Sequence, residues 1–276
     1  MPCTKLLYQE QGSLHQHDAS IVGIEALPTP EDATKSEQPA NSHVLYLDET
    51  IFHVQGGGQP FDVGTIRPSP DSVNGNDATS HTKNQSEFHV TSVRNGEANT
   101  VRHAGYFVPA TTDQPFQPKT KVHLSIDVPR RQLHSRIHSA GHILGVAIMR
   151  LSRAGTLPPL TETKAKHYPG DASVEFQGLI DGKFKDAIQQ ATDELVAEGR
   201  PLHIRFWSRE ECEKNGVALP EKIDGDMFRA VEIEGCGAYA CGGTHVSKTD
   251  EVGRVVVRSI RRQKGGTRVG YFVEEK

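Results

Sequence analysis

Long apolar runs are missing from this chain of 276 residues, and none approaches the roughly 18 consecutive apolar residues of a membrane-spanning helix. Its first twenty residues lack the apolar stretch and small-residue cleavage site of a secretory signal, and the Arg-rich character of a mitochondrial presequence. Cysteine is scarce, with Cys3, Cys212, Cys236 and Cys241 its four occurrences, too few at this length for a disulfide framework. Positive charge is not in excess either. The formal net charge of -4 argues against indiscriminate coating of nucleic acid. A soluble, cytoplasmic protein is expected, with no membrane contact and no obligate protein partner evident.

Two stretches also lack apolar residues. Pro28–Ser42 and Arg67–Ser86 are rich in turn formers and cannot repay the entropy of ordering, so they are expected as surface loops. Between and after them, His43–Leu47, Phe88–Val93, Thr100–Arg102 and Val122–Ile126 carry the short or alternating apolar runs of strands. No internal repeat is present.

The pattern changes at Asp127, which can cap a helix with Pro129 in its first turn. Leu133, Ile137, Ala140, Leu144, Ile148 and Leu151 then recur at helical spacing. A second helix is predicted over Lys183–Ala197. Strands are predicted at Ala172–Phe176, Leu202–Phe206, Phe228–Ile233, Arg254–Ile260 and Arg268–Val273, the last two joined through Gly265-Gly266. The chain is therefore expected to be α+β, with a β domain over 1–127 and an α+β domain over 128–276.

What the chain does have is a split set of metal donors. His138-Ser-Ala-Gly-His142 puts two imidazoles one helical turn apart, and Cys241-Gly-Gly-Thr-His245 adds a thiol and a third imidazole. Three nitrogens and one sulfur suit tetrahedral Zn²⁺. Cys236 competes with Cys241 as the thiolate; Cys241 is preferred because its two glycines let the backbone fold around an ion. His134 extends the imidazole line by a turn, as a partner of the ligands, a candidate base, or a packing residue. Arg254, Arg258, Arg261, Arg262, Lys264 and Arg268 form a run without an acid, a candidate surface for nucleic-acid phosphates, to which Arg130, Arg131 and Arg136 could add.

With these residues laid out, the chain resembles the AlaX family, freestanding relatives of the editing domain of alanyl-tRNA synthetase. The resemblance rests on His-x-x-x-His followed far downstream by Cys-x-x-x-His. It extends to the glycine-rich segment Phe52–Gly64 and to the stretches His167–Phe176 and Val252–Ile260. It implies a small β-barrel-like N-terminal domain of the medium-length type, ahead of a zinc-binding editing domain. It also implies His138, His142, Cys241 and His245 as ligands, and a trans-editing, ATP-independent aminoacyl-tRNA deacylase acting on tRNA(Ala) mischarged with serine or glycine. The need is physical, since a pocket for alanine discriminates against an added hydroxyl by only about 10². No aminoacylation core is visible, so tRNA charging is not expected.

Synthetase editing domains commonly read Thr-Ala-Thr between the two histidines, where this chain has Ser139-Ala140-Gly141; Ser139 keeps a hydroxyl but loses a methyl, so a slightly larger pocket is expected. Ser139 is read as a partner of the amino acid's hydroxyl or amine. Gln59 is read as a substrate contact projecting from the β domain, with a tight turn as the bland alternative. Metal activation of water and metal orientation of the tRNA terminus both stay open. Two other functions compete: a non-catalytic zinc-stabilised RNA-binding module, and hydrolysis of another aminoacyl- or peptidyl-tRNA ester, suggested by Gly57-Gly58-Gln59.

Overall fold

The computed structural model describes residues 2–28, 41–69, 86–109, 116–219 and 225–275. The interiors of the two polar stretches, 29–40 and 70–85, lie outside the described residues, and the surface-loop expectation for them with it. The fold is α+β and falls into two compact units: Met1–Gln55 with Phe61–Arg131, and Gly56–Pro60 with Gln132–Lys276. The glycine motif is thus divided, and Gly56-Gly57-Gly58-Gln59 groups with the second unit.

In the first unit, β1 (Lys5–Leu6) pairs in parallel with β4 (Glu49–Thr50). The other strands are β2 (Gln16–Ala26), β3 (Ser42–Leu47), β5 (Gly64–Pro68), β6 (Glu87–Asn95), β7 (Val101–Val108) and β8 (Lys121–Ile126). These six close into a barrel in the order β2-β3-β7-β6-β5-β8, which leaves no strand edge unpaired. Strand alternation explains the filling. Along β7, Val101, His103, Gly105 and Phe107 are buried and the residues between them are less so, and Ile21, Leu45, Ile66, Phe88, Phe116 and Leu124 complete the core. Each such side chain stabilises the barrel by ~1.5–3 kcal/mol through removal from water.

Arg131 lies in this unit and is not a surface cation. It is 1% exposed, ion-paired to Asp62, and donates further hydrogen bonds to the carbonyls of Ile51 and Gly12. The expectation that it adds to a tRNA-facing surface is corrected: its charge is consumed within the fold.

The second unit is built on α1 (Val128–Arg153), whose first turn is capped as expected, Asp127 Oδ1 accepting the Arg130 N–H at 3.0 Å. Ile137, Ala140, Leu144 and Ile148 from α1 enter a core shared with β9 (Thr161–Tyr168), β10 (Asp171–Gln177) and α2 (Lys185–Ala197). A short 3-10 turn, Gly182–Phe184, precedes α2, so the predicted helical segment begins as a tighter turn. Next come β11 (Leu202–Trp207), α3 (Arg209–Lys214), β12 (Phe228–Ile233), β13 (Gly237–Ala240), β14 (Val255–Gln263) and β15 (Gly266–Val273). They form two antiparallel sheets, β14-β15-β10-β9 and β11-β12-β13. Among the described residues, no helix is long and apolar enough to cross a membrane.

Candidate metal centre and cleft

His138 and His142 project from one side of α1, one turn apart, and the segment leaving β13 brings Cys241 and His245 to them. The donor atoms of these four residues all lie within 4.8 Å of one another. Cys241 Sγ is 3.3 Å from Nε2 of His138 and 3.3 Å from Nε2 of His245. Tetrahedral zinc with Zn–N near 2.0–2.1 Å and Zn–S near 2.3 Å separates its ligand atoms by about 3.3–3.6 Å. The donor set and its spacing therefore fit a metal ion of that size. Nδ1 of His142 is buried without a hydrogen-bond partner among the described residues, an orphaned donor in the same cluster. Burial holds the His142 pKa well below the usual imidazole value, with the neighbouring His167 and the Arg229 charge acting the same way, so its ring is neutral and able to ligate. Burial also raises the Cys241 thiol, partly offset by the Gly243 N–H and by Arg229.

Cys236 is not in the cluster; it accepts a hydrogen bond from Arg150 Nη2 at 2.8 Å. Of the two cysteines, Cys241 is the one in the four-donor cluster.

The outer nitrogens of two ligands are held by side chains. His138 Nδ1 sits 2.7 Å from Gln59 Oε1, an oxygen that also accepts the Thr244 N–H at 3.0 Å, while Gln59 Nε2 donates to Thr244 Oγ1 at 2.9 Å. His245 Nδ1 is 3.0 Å from Ser139 Oγ, which in turn accepts the Val246 N–H at 3.1 Å. A carbonyl oxygen can only accept, so His138 carries its proton on Nδ1 and leaves the Nε2 lone pair facing the sulfur. Gly243 is required here by close approach: a Cβ would fall 2.4 Å from His138 Nδ1 and 2.7 Å from Gln59 Oε1.

A cleft of about 1090 Å³ opens beside the cluster, lined by Gly57, Gly58, His138 and His142, by β9 from Glu162 to Tyr168, and by the stretch Cys236–Gly242. Arg153, Lys164 and Lys166 bring positive charge to its wall. Gln59 and Ser139 do not line it. Both are completely buried behind the ligands, so their expected substrate contacts give way to the orientation of imidazoles. His134 is buried, lies outside the four-donor set and does not line the cleft, so its reading as a base lacks access to substrate.

Three cleft residues escape the sequence reading. His167 stacks on His138 with ring centroids 4.0 Å apart, and its Nδ1 is 2.7 Å from the Tyr271 hydroxyl. That hydroxyl donates to the Ile137 carbonyl at 2.9 Å, so His167 must donate from Nδ1 and keep Nε2 as an acceptor. Burial lowers the His167 pKa to about 3. Tyr239 packs on His142 at 4.4 Å and donates to Glu162 Oε2 at 3.0 Å. Burial pushes the Glu162 pKa up to about 7, against the lowering effect of that hydrogen bond.

The basic run lies on the β14–β15 hairpin. Arg254 pairs with Glu274, Arg262 with Asp181, and Arg268 with Asp171 and Ser173, while Arg258 donates to the Gly170 carbonyl. Arg136 donates to the Val252 and Glu274 carbonyls. Acids distant in sequence neutralise much of a surface that looks uniformly basic when read linearly.

Residues 228–269 match the family model described as the threonyl and alanyl tRNA synthetase second additional domain. The segment contains Cys241 and His245. Over 246 residues the chain is 27% identical to the alanyl-tRNA editing protein AlaX-M of Methanosarcina barkeri, covering 86% of this chain and 90% of that protein. This is an AlaX-like domain. It is also 26% identical to an alanine–tRNA ligase of Methanobrevibacter smithii over 275 residues, and 31% identical to that of Thermotoga maritima over 156 residues, which cover 54% of this chain. The AlaX-like chain spans 26% of the length of the first of these ligases and 17% of the second.

Proposed function

We propose that this protein is a trans-editing hydrolase that deacylates tRNA(Ala) mischarged with serine, and with glycine, at a zinc site held by His138, His142, Cys241 and His245. In this reading the barrel domain runs through residue 127 and the editing domain from 128. The observation that carries the reading is the convergence of three imidazoles and one thiol beside a cleft with cationic walls. A relative that matches nearly end to end is named as an alanyl-tRNA editing protein, which supports the same assignment.

When bound, zinc supplies Lewis-acid polarisation at the cleft. The chain's own residues do the rest. Gln59 fixes the His138 tautomer, and Ser139 holds His245 through its Nδ1. His167, neutral and locked by Tyr271, offers Nε2 as a hydrogen-bond acceptor beside the reacting ester. Arg153, Lys164 and Lys166 receive the phosphates of the acceptor end, which positions the terminal nucleotide without reading its base.

The test is incubation of the zinc-loaded protein with seryl-, glycyl- and alanyl-tRNA(Ala), following release of amino acid. Serine and glycine should be released, alanine retained, and release abolished by a chelator or by His142→Ala with RNA binding preserved. A folded, zinc-loaded protein that binds tRNA but hydrolyses none of the three would leave a zinc-stabilised RNA-binding module in place of an enzyme. Hydrolysis of peptidyl-tRNA in preference to all three would replace the substrate class.

A further inference from the structure

We propose that Glu162, held by Tyr239 on the cleft wall, is the group that recognises the free α-ammonium of the esterified amino acid, and so restricts the site to esters with an unblocked amine. This deepens the editing assignment and rests on it for the identity of the ester.

Glu162 is a half-buried carboxyl on the cleft wall. Glu162 lies on β9 between exposed Thr161 and Thr163, yet its side chain turns into the cleft. Among the described residues it has no cation within ion-pair distance, although Lys166 on the same strand pairs with Asp171. Its contact is the Tyr239 hydroxyl at 3.0 Å, a single neutral donor. A half-buried carboxylate with one neutral hydrogen bond gives up part of its hydration, and such groups concentrate where a ligand completes them.

The packing around it is made to measure. Gly145 on α1 faces the pair, and a Cβ there would fall 2.5 Å from Glu162 Oε2 and 2.6 Å from the Tyr239 hydroxyl. Tyr239 ties the carboxylate to the metal centre, since its ring packs on His142 with centroids 4.4 Å apart. In an aminoacyl ester the amine sits one carbon from the scissile carbonyl, so an ammonium subsite must adjoin the reactive centre in this way.

Arg153 and Lys164 on the cleft lining suit an anionic, phosphate-bearing group, and Glu162 is the one acidic side chain among the described lining residues. Burial has raised the Glu162 pKa to about 7, so an arriving ammonium both gains a partner and draws the carboxyl into its ionised form. An N-acylated ester, neutral and bulkier at that nitrogen, would leave the carboxylate desolvated and unpaired. A charge-assisted contact of this kind distinguishes the two by about tenfold or more.

The experiment measures binding and is independent of hydrolysis. Short acceptor-stem RNAs ending in a non-hydrolysable 3′-serylamido adenosine, with the serine amine free or acetylated, are titrated into the zinc-loaded protein and its Glu162→Gln and Glu162→Asp variants. Wild type should favour the free amine by about tenfold or more, Glu162→Gln should bring the two affinities within about twofold to threefold, and Glu162→Asp should restore part of the preference. Equal affinities in wild type, or an undiminished preference in a folded Glu162→Gln protein, would overturn the assignment. Discrimination by Glu162 in a protein that hydrolyses no aminoacyl-tRNA would uphold the ammonium site and remove the editing reaction. Binding of neither RNA overturns both.

Discussion

The amide oxygen of Gln59 stands 2.7 Å from Nδ1 of His138, on the side of the imidazole away from the sulfur of Cys241. A residue that looks like a substrate-reaching side chain is a clamp on one imidazole of the four-donor cluster. The same oxygen accepts from the Thr244 backbone, so it joins the helix that carries two ligands to the turn that carries the other two.

Removing that clamp should weaken metal binding without dismantling the site. Gln59→Ala frees His138 to rotate and to take the wrong tautomer, and Ser139→Ala does the same to His245. Outer partners of ligating histidines are worth about 10–100-fold in metal affinity. Each variant is therefore expected to lose zinc to a chromophoric chelator at a concentration about 10–100-fold lower than wild type. Unchanged competition curves for both would show that these side chains do not orient the ligands.

The ligand pairs are legible in the linear chain because each half is local: one turn of helix sets His138 against His142, and one tight segment sets Cys241 against His245. Four of the six barrel strands, β3, β6, β7 and β8, and the core stripe of α1 are legible for a similar reason, as burial imposes a period on apolar residues, whereas β2 and β5 are not read from the sequence. The cleft wall is not. Thr161–Tyr168 reads TETKAKHY, without apolar alternation, because this edge strand turns one face to the open cleft and so does not need a greasy one. The alternation of Lys164 and Lys166 was the available signal. Gly141 is the subtler case. The expected enlargement rests on the methyl that Ser139 lacks relative to threonine, and the space beside the glycine at 141 is not part of it. A Cβ at 141 would lie 2.4 Å from His167 Cε1 and 2.5 Å from the Tyr271 hydroxyl, so that volume is occupied by a histidine from β9. No local pattern links those two positions.

Glu162 should impose a pH dependence on the stability of the metal-free protein. Its pKa rises from a normal value of 4.5 to about 7 on folding because burial penalises the charged form. The folded state therefore holds this proton more tightly than the unfolded one. The resulting stabilisation is complete below pH 4.5 and is lost as the pH rises through 7, a swing of at most about 3 kcal/mol. Glu162→Gln removes the titration while keeping the Tyr239 hydrogen bond. Urea unfolding in the presence of a chelator should show the variant gaining about 1–3 kcal/mol on wild type between pH 5 and pH 8. Parallel profiles across that range would mean that the carboxyl titrates normally.

The two cationic surfaces make different predictions for tRNA binding. On the hairpin, the charges of Arg254, Arg262 and Arg268 are already matched by Glu274, Asp181 and Asp171, whereas Arg261 and Lys264 have no ion-pair partner among the described residues. Along the cleft, Lys164 is similarly unpaired and Arg153 lines the wall beside it. Each phosphate contact steepens the fall of log affinity with log salt by about 0.7–0.9. If the cleft wall holds the end of the acceptor strand, replacing Lys164 and Arg153 with Ala should flatten that slope by about 1.4–1.8 and cut deacylation at subsaturating tRNA. The Arg261 and Lys264 pair should flatten it comparably if the hairpin meets the stem, while Arg254→Ala should leave the slope in place, its charge being neutralised within the fold. An unchanged slope in the Arg261 and Lys264 double variant would remove the hairpin from the interface and leave the cleft wall to hold the RNA.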